Sequence, residues 1–121
     1  IAYNKLRFMF DGQVGVIDFD KHDFEQTGCT FGQADGLVNK ALEVEGVRMA
    51  VLASEREDGI KMSLRAVEPD TVNDIAVLFG GGGHAQAAGC TIHAPLQEAL
   101  DQMLAAMKDK LDKTPRPEKR A

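Results

Sequence analysis

The residues best suited to chemistry lie in two short stretches of the chain. Gly80 to Gly89 reads GGGGHAQAAG, a run without side chains followed by a histidine and three alanines. Successive backbone N–H groups at such a run point several donors at one spot, and a helix start after it would add a dipole that favours negative charge. The stretch is therefore expected to wrap an anion, with His84 as a side-chain donor. The same run would also serve as a connector whose glycines merely allow close packing. It is not a Walker A loop, because no Lys-Ser or Lys-Thr follows the last glycine. Gly80, Gly82 and Ala85 fit a loose G-x-G-x-x-A pattern, but the segment follows a helical pattern rather than a strand, which removes the dinucleotide-binding context.

The second stretch is Ile60 to Ala66. Ile60, Met62, Leu64 and Ala66 alternate with Lys61, Ser63 and Arg65, so a strand here carries the polar trio on one face. Arg65 offers a planar fork suited to phosphate. A Lys-x-Ser-x-Arg face is equally what the solvated side of a strand looks like, and it gains meaning in company with the glycine run. Asp18, Asp20, His22 and Asp23 are of metal-ligating types, but they fall where a strand enters a helix cap, where Asp is favoured for structural reasons. His93, just before Pro95, reads the same way. No Ser/His/Asp or Cys/His arrangement stands out, so no catalytic residue and no metal ligand is assigned.

Several elements must position these groups. Lys5 to Phe10 and Val14 to Phe19 read as a β-hairpin around Asp11-Gly12-Gln13. A short helix is expected over Asp20 to Gln26, a loop up to Gly32, a helix over Gln33 to Glu43, and a strand over Val47 to Ala53. Pro69-Asp70-Thr71 opens a helix with Val72, Ile75, Ala76 and Phe79 on one face and a capping box between Thr71 and Asp74. A short strand, Cys90 to His93, precedes a last helix with Pro95 at its first position and an apolar stripe of Leu96, Leu100, Met103, Leu104, Met107 and Leu111. The expected fold is a small α/β domain with a mixed sheet of about five strands flanked by helices, spanning 1–112, with 113–121 as a disordered tail.

Composition bounds the partners. The chain has 121 residues, 14 Lys+Arg against 19 Asp+Glu, a net charge of −5, and 44% hydrophobic residues. That fits one globular domain able to bury roughly two-thirds of its unfolded surface without a disulfide or metal staple. The acidic balance excludes a broad basic track for duplex DNA, and six Phe, one Tyr and no Trp exclude a wide base-stacking platform. A local anion site is compatible with both. Apolar runs fall far short of the roughly 18–20 residues that cross a bilayer, which points to a soluble chain without a membrane partner. Cys29 and Cys90 lie far apart with no signal-peptide pattern, pointing to a reducing, cytoplasmic setting. The Ile1 start suggests a fragment of a longer polypeptide.

With GGGGHAQAAG preceded by KMSLR (Lys61 to Arg65) and the helix DTVNDIAVLF (Asp70 to Phe79), the chain resembles the C-terminal, DHH-associated substrate-binding domain of DHH-family phosphoesterases. It looks closest to the oligoribonuclease/pAp-phosphatase branch, also labelled exopolyphosphatase-related. The resemblance implies a separate N-terminal catalytic domain, absent from this chain, that binds two metal ions, usually manganese, and activates the attacking water. It implies no cofactor in this chain. By position, Gly81, Gly82 and Gly83 would present backbone donors to a terminal nucleotide's phosphate, with His84 as side-chain partner, Arg65 and Ser63 completing the pocket and Asn39 at its edge. Two departures narrow that grip: Ala66 stands where the family often has a second Ser, and Ala85-Gln86 lacks the Lys many members carry after the His. The implied partners are short single-stranded RNA or a nucleotide and the missing catalytic domain, and a homodimeric parent stays open. The alternative is a nucleic-acid-binding module without hydrolase activity, since similar domains end alanyl-tRNA synthetases.

Overall fold

A computed structural model describes residues 6–22 and 31–114, with the side chains of 31–35 left aside. The strands are β1 (Arg7–Met9), β2 (Val14–Phe19), β3 (Met49–Arg56), β4 (Gly59–Ala66), β5 (Gly82–His84) and β6 (Ala87–Ile92). The helices are α1 (Phe31–Ala41), α2 (Asn73–Leu78) and α3 (Leu96–Lys113). One six-stranded sheet has the order β1-β2-β3-β4-β6-β5. Among the described residues only β2 and β3 run parallel, with α1 between them in sequence, and every other neighbouring pair is antiparallel. The mixed sheet is as expected. Its sixth strand comes from the glycine run, where a loop was expected.

The centre of the sheet is buried on both faces, which is why β2 and β3 are nearly continuous in apolar residues rather than alternating. On one face Val14, Val16, Met49, Val51, Ala53, Met62, Leu64 and Cys90 pack with Ile75 and Ala76 of α2 and Leu100, Met103 and Met107 of α3. On the other, Ile17, Phe19, Ala50 and Leu52 pack with Val38 and Ala41 of α1. The stripe expected on α3 is thus the large core's lid. Leu100, Met103, Leu104, Met107 and Leu111 are all buried.

Two polar ties set the geometry near the site. Arg48, at the head of β3, donates from Nε to Asp70 Oδ2 (2.9 Å) and from Nη2 to Asp70 Oδ1 (2.7 Å), both side chains being buried. The same guanidinium reaches Gln13 Oε1 (3.3 Å) and the Thr114 carbonyl (2.6 Å), binding the β1–β2 turn and the end of α3 to one point. The second tie takes in the expected capping pair, whose side chains do meet, the Thr71 hydroxyl donating to Asp74 Oδ1 (3.2 Å), although neither caps a backbone amide at the helix start. Val72, not Thr71, is the N-cap of α2 and makes no side-chain cap bond. Lys110 Nζ of α3 instead donates to the Thr71 carbonyl and hydroxyl (2.6 Å each) and to the Asp74 carboxylate (2.6 and 2.7 Å). A charged amine one helix away outcompetes a weak local cap because it satisfies three oxygen-bearing groups at once. The short helix expected over Asp20 to Gln26 lies largely outside the described residues.

Candidate functional site

Alternation along β4 sends Ile60, Met62, Leu64 and Ala66 into the large core and leaves Lys61, Ser63 and Arg65 on the opposite face. The register carries that polar face outward to the sheet edge. Arg65 pairs with Ala87 of β6, and Ala87 pairs with His84 of β5. Directly paired residues share a face, so Arg65 and His84 stand on the same side with only a methyl group between them. Their backbones are two strands, or roughly 10 Å, apart. Ser63 pairs with Gly89, which pairs with Gly82, and Lys61 pairs with Thr91. Three parallel rows result: Arg65–Ala87–His84, Ser63–Gly89–Gly82, and Lys61–Thr91. Since α1 packs over Ala50 and Leu52, no helix among the described residues covers this face at β6 and β5.

The hairpin that presents His84 is pinned at its turn. Val72 N–H donates to the Ala85 carbonyl (2.8 Å) and Ala66 N–H to the Gln86 carbonyl (3.1 Å). Gln86 Nε2 donates to the Asp70 carbonyl (2.8 Å). The buried Arg48–Asp70 pair therefore supports the turn from behind. Arg48, Asp70 and Gln86 were not singled out from sequence. The available signal was a charged residue, Arg48, at the head of an otherwise apolar run, because an ion is buried only with a partner.

The glycine run differs from expectation in what surrounds it. No helix starts after it; it leaves the C-terminal end of α2 and enters β5, so the dipole argument for an anion does not apply here. Gly80, at φ +84°, closes α2: its N–H donates to the Val77 carbonyl (3.0 Å) and the Gly81 N–H to the Ala76 carbonyl (2.9 Å). That is a Schellman ending, which uses both amides inside the fold. A Cβ on Gly81 would sit 2.1 Å from the Gly89 carbonyl oxygen, and one on Gly83, at φ +146°, 2.5 Å from Ala88 Cα. These two are glycines because β6 runs too close for a side chain. His84 and Ala87 close a two-residue turn, which makes them a hydrogen-bonded pair. The antiparallel alternation then turns the Gly83 amide away from β6, toward the open edge.

Arg65 donates from Nη1 to the Leu64 carbonyl (3.0 Å) and is half-buried, whereas His84 is exposed. Ser63 is buried. Asn39 is exposed, in the last turns of α1. The neighbouring Ala41 stands over Gly15, whose strand partner Ala50 pairs with Arg65, whereas Asn39, two residues earlier, lies on the outer side of the helix. The metal-type residues are engaged differently: Asp18 accepts from Arg7 Nη1 at 2.6 Å, and Asp23 lies outside the described residues. Among the described residues, no group of three or more His, Cys, Asp or Glu is placed to hold a metal ion. Cys90 lies on the core face, where burial pushes its thiol above the ordinary value. No helix among the described residues is long and apolar enough to cross a membrane.

Comparison with known proteins bears directly on this arrangement. The DHHA1 domain profile matches residues 11–113, nearly the whole of the described fold. The chain belongs to the DHHA1 domain family. A bifunctional oligoribonuclease and PAP phosphatase of Thermus thermophilus is 35% identical over 79 residues, covering 64% of this chain and 24% of that protein. The crystal structure of an exopolyphosphatase-related protein from Bacteroides fragilis superposes with a TM-score of 0.81 at 26% identity, over 89% of this chain and 32% of that one. The C-Ala domain of Aquifex aeolicus alanyl-tRNA synthetase shares the fold, with a TM-score of 0.58 at 15% identity, over 84% of this chain and 96% of that one. The DHHA1 chain spans about a quarter of the length of the curated relatives it matches.

Proposed function

We propose that this DHHA1 domain holds the terminal nucleotide of a short single-stranded RNA, or a related nucleotide, for hydrolysis by a separate domain of a larger phosphoesterase. The observation that carries the reading is the Arg65–Ala87–His84 row. A guanidinium and an imidazole stand on one open face across an alanine, beside an edge amide at Gly83. That spacing lets one phosphate accept from the Arg65 fork on one side and from His84 on the other, a charge-assisted pair, while the Gly83 amide is a further donor on the outer edge of the same strand. Gly81 and Gly82 contribute by letting the chain pass close to β6 and by leaving the face uncovered.

The relatives named as oligoribonuclease and PAP phosphatase support a nucleotide as ligand. In the larger phosphoesterase proposed here, a metal pair, manganese by expectation, would be held by that other domain and would supply the activated water. This chain's own residues bind and orient the chain end and exclude wrong poses, so that the scissile bond is presented in a fixed geometry. A hydrolase acting on short chains needs one concentrated donor cluster rather than a long basic track, which suits a domain of net charge −5.

The test is calorimetric titration of a 5′-phosphorylated diribonucleotide into the wild-type chain and into Arg65→Ala and His84→Ala. Saturable binding that both substitutions weaken supports the clamp. Equal affinity in all three proteins would remove it.

A further inference from the structure

Within the glycine run, Gly82 differs from its neighbours. The fold demands glycine at 80 through a positive φ, and at 81 and 83 through contact with β6. At Gly82 the backbone lies outside the left-handed region and a Cβ would meet nothing within 4 Å. Neither strain nor packing asks for glycine there. Its position explains what does. Gly82 is the outer member of the Ser63–Gly89–Gly82 row, which lies beside the Arg65–Ala87–His84 row at about 6.8 Å, the two-residue repeat of a strand.

The inner member supplies an independent observation. Ser63 is only 7% exposed, and its hydroxyl makes no hydrogen bond among the described residues. Buried hydroxyls are ordinarily paired, so this one lacks a partner that the described fold does not provide. The row is thus a side-chain-free floor, formed by Gly89 and Gly82, with an unsatisfied hydroxyl at its inner end and the phosphate donors along one side. The Ser63–Gly89–Gly82 row itself carries no ring, the only one in the three rows being the His84 imidazole in the neighbouring row, so the floor offers no stacking partner of its own. A sugar ring fits it: flat enough to lie on two glycines, and bearing hydroxyls that can pair with Ser63.

We propose that Gly89 and Gly82 seat the ribose of the terminal nucleotide and that Ser63 hydrogen-bonds its 2′-hydroxyl. This rests on the phosphate reading above and deepens it into a sugar preference. In a 5′-phosphorylated dinucleotide the first sugar's 3′ oxygen is tied up in the phosphodiester, which leaves the 2′-hydroxyl as its free one. That group is also what separates RNA from DNA. Gly82 and Ser63 then act as specificity-determining residues.

The experiment compares ribo- and 2′-deoxyribo-dinucleotides, both 5′-phosphorylated, by calorimetry on wild-type, Gly82→Ala, Gly82→Val and Ser63→Ala chains, with thermal melts of each. Because a Cβ at 82 enters open space, the Gly82 variants are expected to melt with the wild type. They should bind the ribodinucleotide progressively more weakly, by at least tenfold for Val. The wild type is expected to prefer the ribo form several-fold, and Ser63→Ala to bind both forms alike. Wild-type affinity in Gly82→Val, or an unchanged ribo preference in Ser63→Ala, would overturn the sugar seat alone. Absence of binding of either dinucleotide by the wild type would instead overturn the phosphate reading on which it rests.

Discussion

At the scale of single residues, Arg65 is expected to carry more of the affinity than His84. Both contacts go to a charged phosphate, for which a hydrogen bond contributes about 1.5–3 kcal/mol, but Arg65 brings a permanent charge and two donors in one fork where His84 brings one donor, so Arg65→Ala should weaken diribonucleotide binding by roughly 10- to 100-fold and His84→Ala by less. Arg65→Lys should restore only part of the loss, because an ammonium cannot reproduce the planar fork. Calorimetry gives all three constants, and full recovery in Arg65→Lys would show that charge alone suffices. The polar trio on β4 was readable from sequence because strand alternation separates faces without knowledge of the partner strands. That His84 stands opposite Arg65 was not readable, since it depends on two successive registers, β4 to β6 and β6 to β5. The anion-binding argument from a helix start failed for a local reason: four glycines favour ending the helix before them, and residues Gly82 to His84 extend instead.

At the scale of elements, the hairpin β5–β6 depends on groups far from its own sequence. Asp70 is the anchor, buried against Arg48, and its carbonyl takes the Gln86 amide. Asp70→Asn leaves the guanidinium buried without its counter-ion, which is expected to cost about 3–5 kcal/mol of unfolding free energy in urea titrations. A loss below 1 kcal/mol would mean the pair is not the anchor. The Lys110–Asp74 contact behaves differently because Asp74 is largely exposed. Burial would raise its carboxyl, but the Lys110 hydrogen bond and charge outweigh that and hold it below the ordinary value of 3.8. Its contribution is therefore present above pH 3.8 and is lost as pH falls through the lower folded value. Asp74→Asn should cost under about 1 kcal/mol near neutrality, and the gap should close at acid pH. A gap that persists unchanged there would contradict the assignment. The elements with clear periodicity, α1, β4 and α3, and the apolar runs of β2 and β3 were legible. Strand β5 was not, because glycine has low strand propensity, and only the neighbouring β6 gives those residues a ladder.

At the scale of the whole molecule, the sheet order β1-β2-β3-β4-β6-β5 sets where the proposed anion site lies in an acidic domain. The apolar centre, closed by α1 on one side and by α2 and α3 on the other, supplies rigidity. The proposed binding groups lie at the β4–β6–β5 end, where one helix has run out and the edge begins. That order was invisible in the sequence, since the parallel pairing of β2 with β3 and the insertion of β6 between β4 and β5 are non-local choices. The fold class, by contrast, followed from the order of strand and helix patterns, and the family from short motifs, KMSLR, DTVNDIAVLF and GGGGHAQAAG.

The central claim, that one open face at this end of the sheet holds a terminal nucleotide, is tested most directly by NMR. A 5′-phosphorylated diribonucleotide is titrated into the chain while backbone amides are followed. The expected result is saturable shifts concentrated at Arg65, Gly82, Gly83, His84 and Gly89, spanning three strands but one face. Shifts that saturate elsewhere, or none at millimolar ligand, would contradict the account.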